Sequence, residues 1–219
     1  MIDPPSIDLP RFLANWYGSP DAPPSRLPDS AAWLPEPLKE WHELSSQWTT
    51  PLMTLKRMRA PEEIAVKGGK AIFMADPGDA VWAFDPDSPM DVYEGELYEG
   101  WEKSTESLSE FLIHNALNEA AYNATSRRAC DEVAESRLDD ILAPMTEVTF
   151  GGWRWPRPGH RVFMSDALVA SVGPALEDQA PWGNRPGYVQ VQIGSNDPAL
   201  LAYLDELGGL RWMRSGRIE

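Results

Sequence analysis

Cysteine is almost missing from this chain: Cys130 is the only one. No internal disulfide can form, and a reducing compartment fits that usage. Long apolar runs are missing as well, and none reaches the roughly 18 residues of a membrane helix. Basic residues are scarce, with 19 Lys and Arg against 34 Asp and Glu and a net charge of −15. That balance excludes nucleic acid and anionic membrane as general ligands, because phosphate binding needs a basic surface. It suits a basic protein partner, or serves solubility alone. The opening residues Met1-Ile2-Asp3-Pro4-Pro5 have neither the basic nor the apolar segment of a signal peptide. A cytoplasmic protein is expected, as a monomer or weak dimer.

Motifs for chemistry are absent too. His42, His114 and His160 lie far apart, and none has a second His or a Cys at ligand spacing, so no metal site is expected. There is no Gly-x-Ser-x-Gly elbow. Lys67-Gly68-Gly69-Lys70 lacks the spacing of a phosphate loop and reads as a turn. Cys130 follows Arg127 and Arg128, which favour a thiolate. A small apolar residue near a helix start is the simpler account of it. Ten tryptophans beside 34 acids suggest sugar chemistry on paired carboxylates. Trp16, Trp41, Trp82 and Trp212 nevertheless fall at inward positions of expected elements and read as core. No enzyme, cofactor or metal is expected.

What is present is a series of short elements broken by 21 prolines. Asp8 to Tyr17 carries Leu9, Phe12, Leu13, Trp16 and Tyr17 on one helical stripe, capped by Asp8 and ended by Gly18. A Pro-rich loop over 18–32 leads to a second helix over Pro37–Trp48, with His42 on its exposed side. Met53 to Arg59 reads as a strand. Ala71 to Met74 is continuously apolar, a strand covered on both faces. Asp76-Pro77-Gly78-Asp79 predicts a turn with φ > 0 at Gly78. In the next strand Trp82 and Phe84 share one face, and Val81 and Ala83 the other. Asp91 to Glu96 is a third strand. Ser107 and Glu110 form a capping box. It opens a helix with Leu112, Ile113, Ala116, Leu117, Ala120 and Ala124 on its apolar face and Glu110, His114 and Asn118 on its polar one. Short turns between strands make the sheet antiparallel and the class α+β. Asp131 to Leu142 reads as another helix.

The last 75 residues change in composition, since every Lys or Arg after Lys103 is Arg. Strands over 161–172 and 188–193, a helix from Asn196 or Asp197 and a final strand over 210–213 predict a C-terminal β-β-α-β extension. The expected division is a main domain over 1–143 and an extension over 144–219.

One local feature stands out. Between Ala71 and Glu102 there are nine acids and no Lys or Arg: Asp76, Asp79, Asp85, Asp87, Asp91, Glu94, Glu96, Glu99 and Glu102. Like charges this close repel, and a basic partner would offset the repulsion. A solvated rim is the competing reading. Calcium lacks its Asp-x-Asp-x-Asp-Gly spacing.

The run Leu34-Pro35-Glu36-Pro37-Leu38-Lys39-Glu40-Trp41, the strand Ala80-Val81-Trp82-Ala83-Phe84-Asp85, then Asp91-Val92-Tyr93, Trp101 and Ser107-Leu108-Ser109-Glu110-Phe111-Leu112 together resemble the SUKH superfamily, which includes the Smi/Knr-type regulators. The resemblance covers about residues 30–125. The turn at Asp76–Asp79 departs from the acidic-Asn-Gln-Gly common in that family. The resemblance implies an antiparallel-rich sheet packed on helices and a non-enzymatic role. That role is a bacterial immunity protein neutralising a polymorphic toxin, or a regulatory adaptor without a toxin. On it, Asp76, Asp79, Asp85, Asp87, Asp91, Glu94, Glu96 and Glu99 are the expected partner-binding residues, docking a basic toxin domain.

Overall fold

The computed structural model describes residues 1–96, 100–153 and 158–216. Two antiparallel sheets of six strands enclose one helix; two further helices share its side of the first sheet, and two short ones cover the outer side of the second, so the class is α+β. The first sheet holds β1 (Arg57–Met58), β3 (Lys70–Ala75), β4 (Ala80–Asp85), β5 (Ser88–Glu96) and β6 (Trp101–Ser107), in that order. In it, β2 (Ala65–Lys67) also pairs with β3. Consecutive strands pair through tight turns, as the sequence predicts. Gly78 does not adopt the expected positive φ. Instead Asp76 Oδ1 closes that turn by accepting the Ala80 N–H at 3.0 Å.

Alternation along β4 sorts its side chains by face. Trp82 and Phe84 point at the helices and join the large core with Phe73 and Phe111, while Val81 and Ala83 sit with Ile72 on the other face. On the helical side are α1 (Leu9–Tyr17), α2 (Glu36–Ser45) and α3 (Leu108–Asn123). Asp8 caps α1 by accepting the Arg11 N–H. The α3 capping box forms as expected: Ser107 accepts from Glu110 N, and Glu110 Oε2 accepts from Ser107 N at 2.8 Å.

The second sheet runs in the order β12 (Met213–Gly216), β7 (Ser126–Ala134), β11 (Asn184–Ser195), β10 (Val169–Leu176), β9 (His160–Met164), β8 (Thr146–Trp153). It differs from the small extension expected. Ser126–Ala134 is an inner strand, so Asp131 does not start a helix; only α4 (Leu138–Leu142) is helical there. Cys130 and Val133 face the second core, where α4, α5 (Tyr203–Glu206) and Leu201 cover the sheet. Arg161 to Val172 is two strands joined by a turn at Ser165–Leu168. The sheet also reaches outside 144–219, because β7 precedes residue 143. At the other end of the chain, Ile2 bridges Val148, with its N–H donating to Glu147 O at 2.7 Å.

The helix α3 lies between the sheets, against β5 and β6 on one side and β9, β10 and β11 on the other. Buried on nearly all sides, it needs no polar face, which is why His114, Asn115 and Glu119 are buried alongside its apolar residues. Its approach to the second sheet depends on Gly194. A Cβ there would lie 2.6 Å from Ala121 O and 2.7 Å from Ala124 Cβ. We expect Gly194→Ala to lower stability by about 1–3 kcal/mol, the range for overpacking. Urea unfolding checks this, and an unchanged midpoint would show that α3 has room to move.

Candidate functional site

Successive hairpins send the chain back and forth, so successive turns lie at opposite ends of a sheet. The acidic stretch is therefore not one edge. Asp76 and Asp79 lie at one end of β4, with Glu96 beside them because it pairs with Ala80. Asp85, Asp87 and Asp91 lie towards the other end, about 17 Å away at 3.3–3.4 Å per strand residue. Glu94 is on the helical side between Trp82 and Glu102 and is buried, so it is removed from any docking face. Glu99 falls outside the described residues.

Part of this charge is already matched by flanking lysines. Lys70 Nζ lies 3.0 Å from Asp85 Oδ2 and 4.2 Å from the centre of the Tyr93 ring. Lys103 Nζ lies 2.7 Å from Asp91 Oδ2. The hydrogen bond from Asp87 N, then that from Lys70, holds the Asp85 carboxyl below the usual aspartate range. Asp79, Asp87 and Glu96 remain exposed, and among the described residues no cation pairs with them.

The structure also has a cleft that periodicity does not reveal. About 530 Å³ in volume, it lies between α2, the segment 50–59 and the β3–β4 turn, and Trp41, His42, Trp48, Lys56, Arg59 and Asp76 help to line it. The segment is fixed from below by Glu119 of α3. One Glu119 oxygen accepts the N–H groups of Thr54 (2.7 Å) and Leu55 (2.9 Å), and the other accepts that of Lys56 (2.9 Å). Lys56 is itself buried. Its Nζ bonds Asn118 Oδ1 at 3.1 Å and lies 4.0 Å from Glu119. Burial pulls its ammonium down to about 8, against the pull of Glu119 and then Asp76.

His42, expected on the exposed side of its helix, is half-buried in this wall. Burial pulls its imidazole from 6.5 to about 4, with Glu62 opposing. The unfolded chain then takes up this proton as the pH falls through 6.5, while the folded chain stays neutral until about 4. Stability is therefore lost across that window, by about 1–2 kcal/mol after allowance for solvent screening. Relative to the native chain, His42→Gln should gain about that much at pH 4 over pH 7. Urea unfolding at the two pH values measures the difference, and parallel losses in both proteins would contradict the assignment.

Other titratable groups are placed for structure. His114 Nδ1 lies 2.9 Å from Glu106 Oε1, and its ring stacks on Phe150 at 4.1 Å. Both side chains of the pair are sealed from solvent, where no substrate reaches. Cys130 is buried in its strand with Sγ 3.5 Å from Glu132 O. Among the described residues no group of three or more His, Cys, Asp or Glu is placed to hold a metal ion, and no helix is long and apolar enough to cross a membrane.

Sequence reading missed Lys56, Glu119 and the Glu106–His114 pair. A signal existed for Glu119: it lies off the polar stripe of Glu110, His114 and Asn118 and next to the apolar positions Leu112 and Ala116, so a charge there calls for a partner. Comparison of the chain with family models, curated proteins and solved structures gives no match.

Proposed function

We propose that this chain is a non-enzymatic binding protein, an immunity protein that docks a basic toxin domain through carboxylates at the ends of its first sheet. The supporting observation is the division of labour among those acids. Lys70 and Lys103 neutralise Asp85 and Asp91, whereas Asp79, Asp87 and Glu96 face solvent with no cation beside them among the described residues. Exposed charge of one sign attracts the opposite sign over about a Debye length and speeds association. Strand pairing on either side of the turns lowers the ordering cost of presenting it. The protein acts in the cytoplasm as a monomer or weak dimer. A regulatory adaptor of the same fold, without a toxin, is the alternative carried by the same surface.

A photo-crosslinking residue placed at 79, 87 or 96 in the producing cell tests this. The expected product joins the chain to a basic protein that is toxic when expressed alone and harmless with the chain. A basic but harmless partner favours the adaptor, and no product from any of the three positions removes the docking surface.

A further inference from the structure

The cleft between α2, the segment 50–59 and the β3–β4 turn reverses the charge balance of the chain around it. Its walls carry three cations, Lys56, Arg57 and Arg59, against one acid, Asp76. The whole chain has 34 acids to 19 Lys and Arg. Two of these cations are spent within the fold. Lys56 is buried on Asn118 and Glu119, and Arg57 Nη2 lies 3.3 Å from Glu63 Oε2. Arg59 is engaged only through its backbone, whose N–H donates to Phe73 O at 2.8 Å. Its guanidinium has no hydrogen bond, ion pair or ring contact among the described residues. It follows β1, the edge strand, with β3 and β4 between it and β5. Asp76 is turned to other work, since its Oδ1 accepts the Ala80 N–H and its charge acts on Lys56.

A second group in the same wall lacks a partner. His42 Nε2 is buried and forms no hydrogen bond among the described residues. Buried polar atoms are normally satisfied, and one left open beside a cavity marks a contact that a bound molecule completes. The imidazole is neutral down to about pH 4, so at neutral pH it offers a hydrogen bond and adds no charge. Much of the remaining lining is apolar. Trp41 and Trp48 back the cleft, and the half-buried Met53 and Met58 line it with thioethers that adapt to a ring. A volume of about 530 Å³ suits a small molecule and is too small for a folded partner. We propose that this cleft binds a small organic anion, one carboxylate on an apolar, ring-bearing body, with the carboxylate on Arg59 and the ring against Met53 and Met58. A guanidinium holds a planar carboxylate through two parallel bonds. One free cation matches one negative charge, whereas a nucleotide would leave charge unmatched beside Asp76. The site is separate from Asp79, Asp87 and Glu96 and stands whether or not those residues dock a protein.

Isothermal titration of the full chain with benzoate, 1-naphthoate and indole-3-acetate, each against the alcohol of the same ring, tests this. At least one carboxylate should bind about tenfold more tightly than its alcohol, the gain of one charge-assisted pair. Its amide shifts should map to residues 54–59. Arg59→Gln should remove that preference, with the alcohol's affinity and the unfolding midpoint unchanged, and Arg59→Lys should keep part of it. The inference is overturned if no carboxylate binds at about 1 mM, or if each binds no more tightly than its alcohol. Shifts confined to other residues, or a preference that survives Arg59→Gln in full, also overturn it.

Discussion

Glu119→Ala is expected to lower stability by about 3–5 kcal/mol, the range for breaking a buried charged network from one side. The substitution leaves three N–H groups, of Thr54, Leu55 and Lys56, without their acceptor. It also removes the carboxylate beside the buried ammonium of Lys56, which keeps its bond to Asn118 Oδ1. The hydrogen bonds outweigh the ion pair here. Each bond to a carboxylate contributes about 1.5–3 kcal/mol, whereas the Lys56 contact is 4.0 Å long and works against the desolvation that lowers the Lys56 pKa. Lys56→Met should therefore cost less than Glu119→Ala, about 1–3 kcal/mol, since it takes the cation from the buried Glu119 carboxylate but leaves the three N–H bonds intact. Urea unfolding ranks the two variants, and amide exchange at residues 54–56 locates the damage. Equal losses in both would show that the ion pair, not the carboxylate's backbone bonds, holds the segment.

Trp82→Ala is expected to lower stability by about 3–5 kcal/mol, as large-to-small changes of buried aromatics do. The ring is fully buried, lies 6.2 Å from that of Phe111, and has Lys56 Nζ 6.0 Å from its centre. Its strand also links the two carboxylate groups, so losing its packing loosens Asp79 and Glu96 on one side and Asp87 on the other. Partner affinity should fall with stability in Trp82→Ala and recover in Trp82→Phe, which keeps most of the ring contacts. A Trp82→Ala protein with native stability would place the core of the first sheet elsewhere.

The elements legible in the sequence are those set by local chemistry. The stripe and cap of α1, the capping box of α3 and the two faces of β4 follow from neighbours within eight residues. The second sheet was hidden because its pairings are remote. β7 lies between β11 and β12, and Cys130 faces Val191 while Ala129 faces Gln192 and Met213. The acidic run 131–142 has a helical spacing of Val133, Leu138, Ile141 and Leu142, but strand partners 54 to 90 residues away hold Ser126–Ala134 in the sheet and leave only Leu138–Leu142 helical. The acids of the candidate site could be named from the sequence, but their separation could not, because it arises when hairpins reverse the chain. Lys70 and Lys103, just outside the stretch without cations, fold back onto Asp85 and Asp91. His42 was misplaced because Met53 to Arg59 reads as a strand, whereas only Arg57–Met58 pairs in the sheet and the rest of the segment 50–59 folds over His42.

The docking account separates carboxylates that look alike in the sequence. With the captured partner in hand, isothermal titration at low and at physiological ionic strength should compare the native chain with Asp79→Lys, Asp87→Lys and Glu96→Lys combined, and with Asp85→Asn and Asp91→Asn combined. The account predicts that added salt weakens native binding about tenfold, that the first variant binds at least that much more weakly at low salt, and that the second stays close to native. A dissociation constant indifferent to salt and to the three reversals would contradict it.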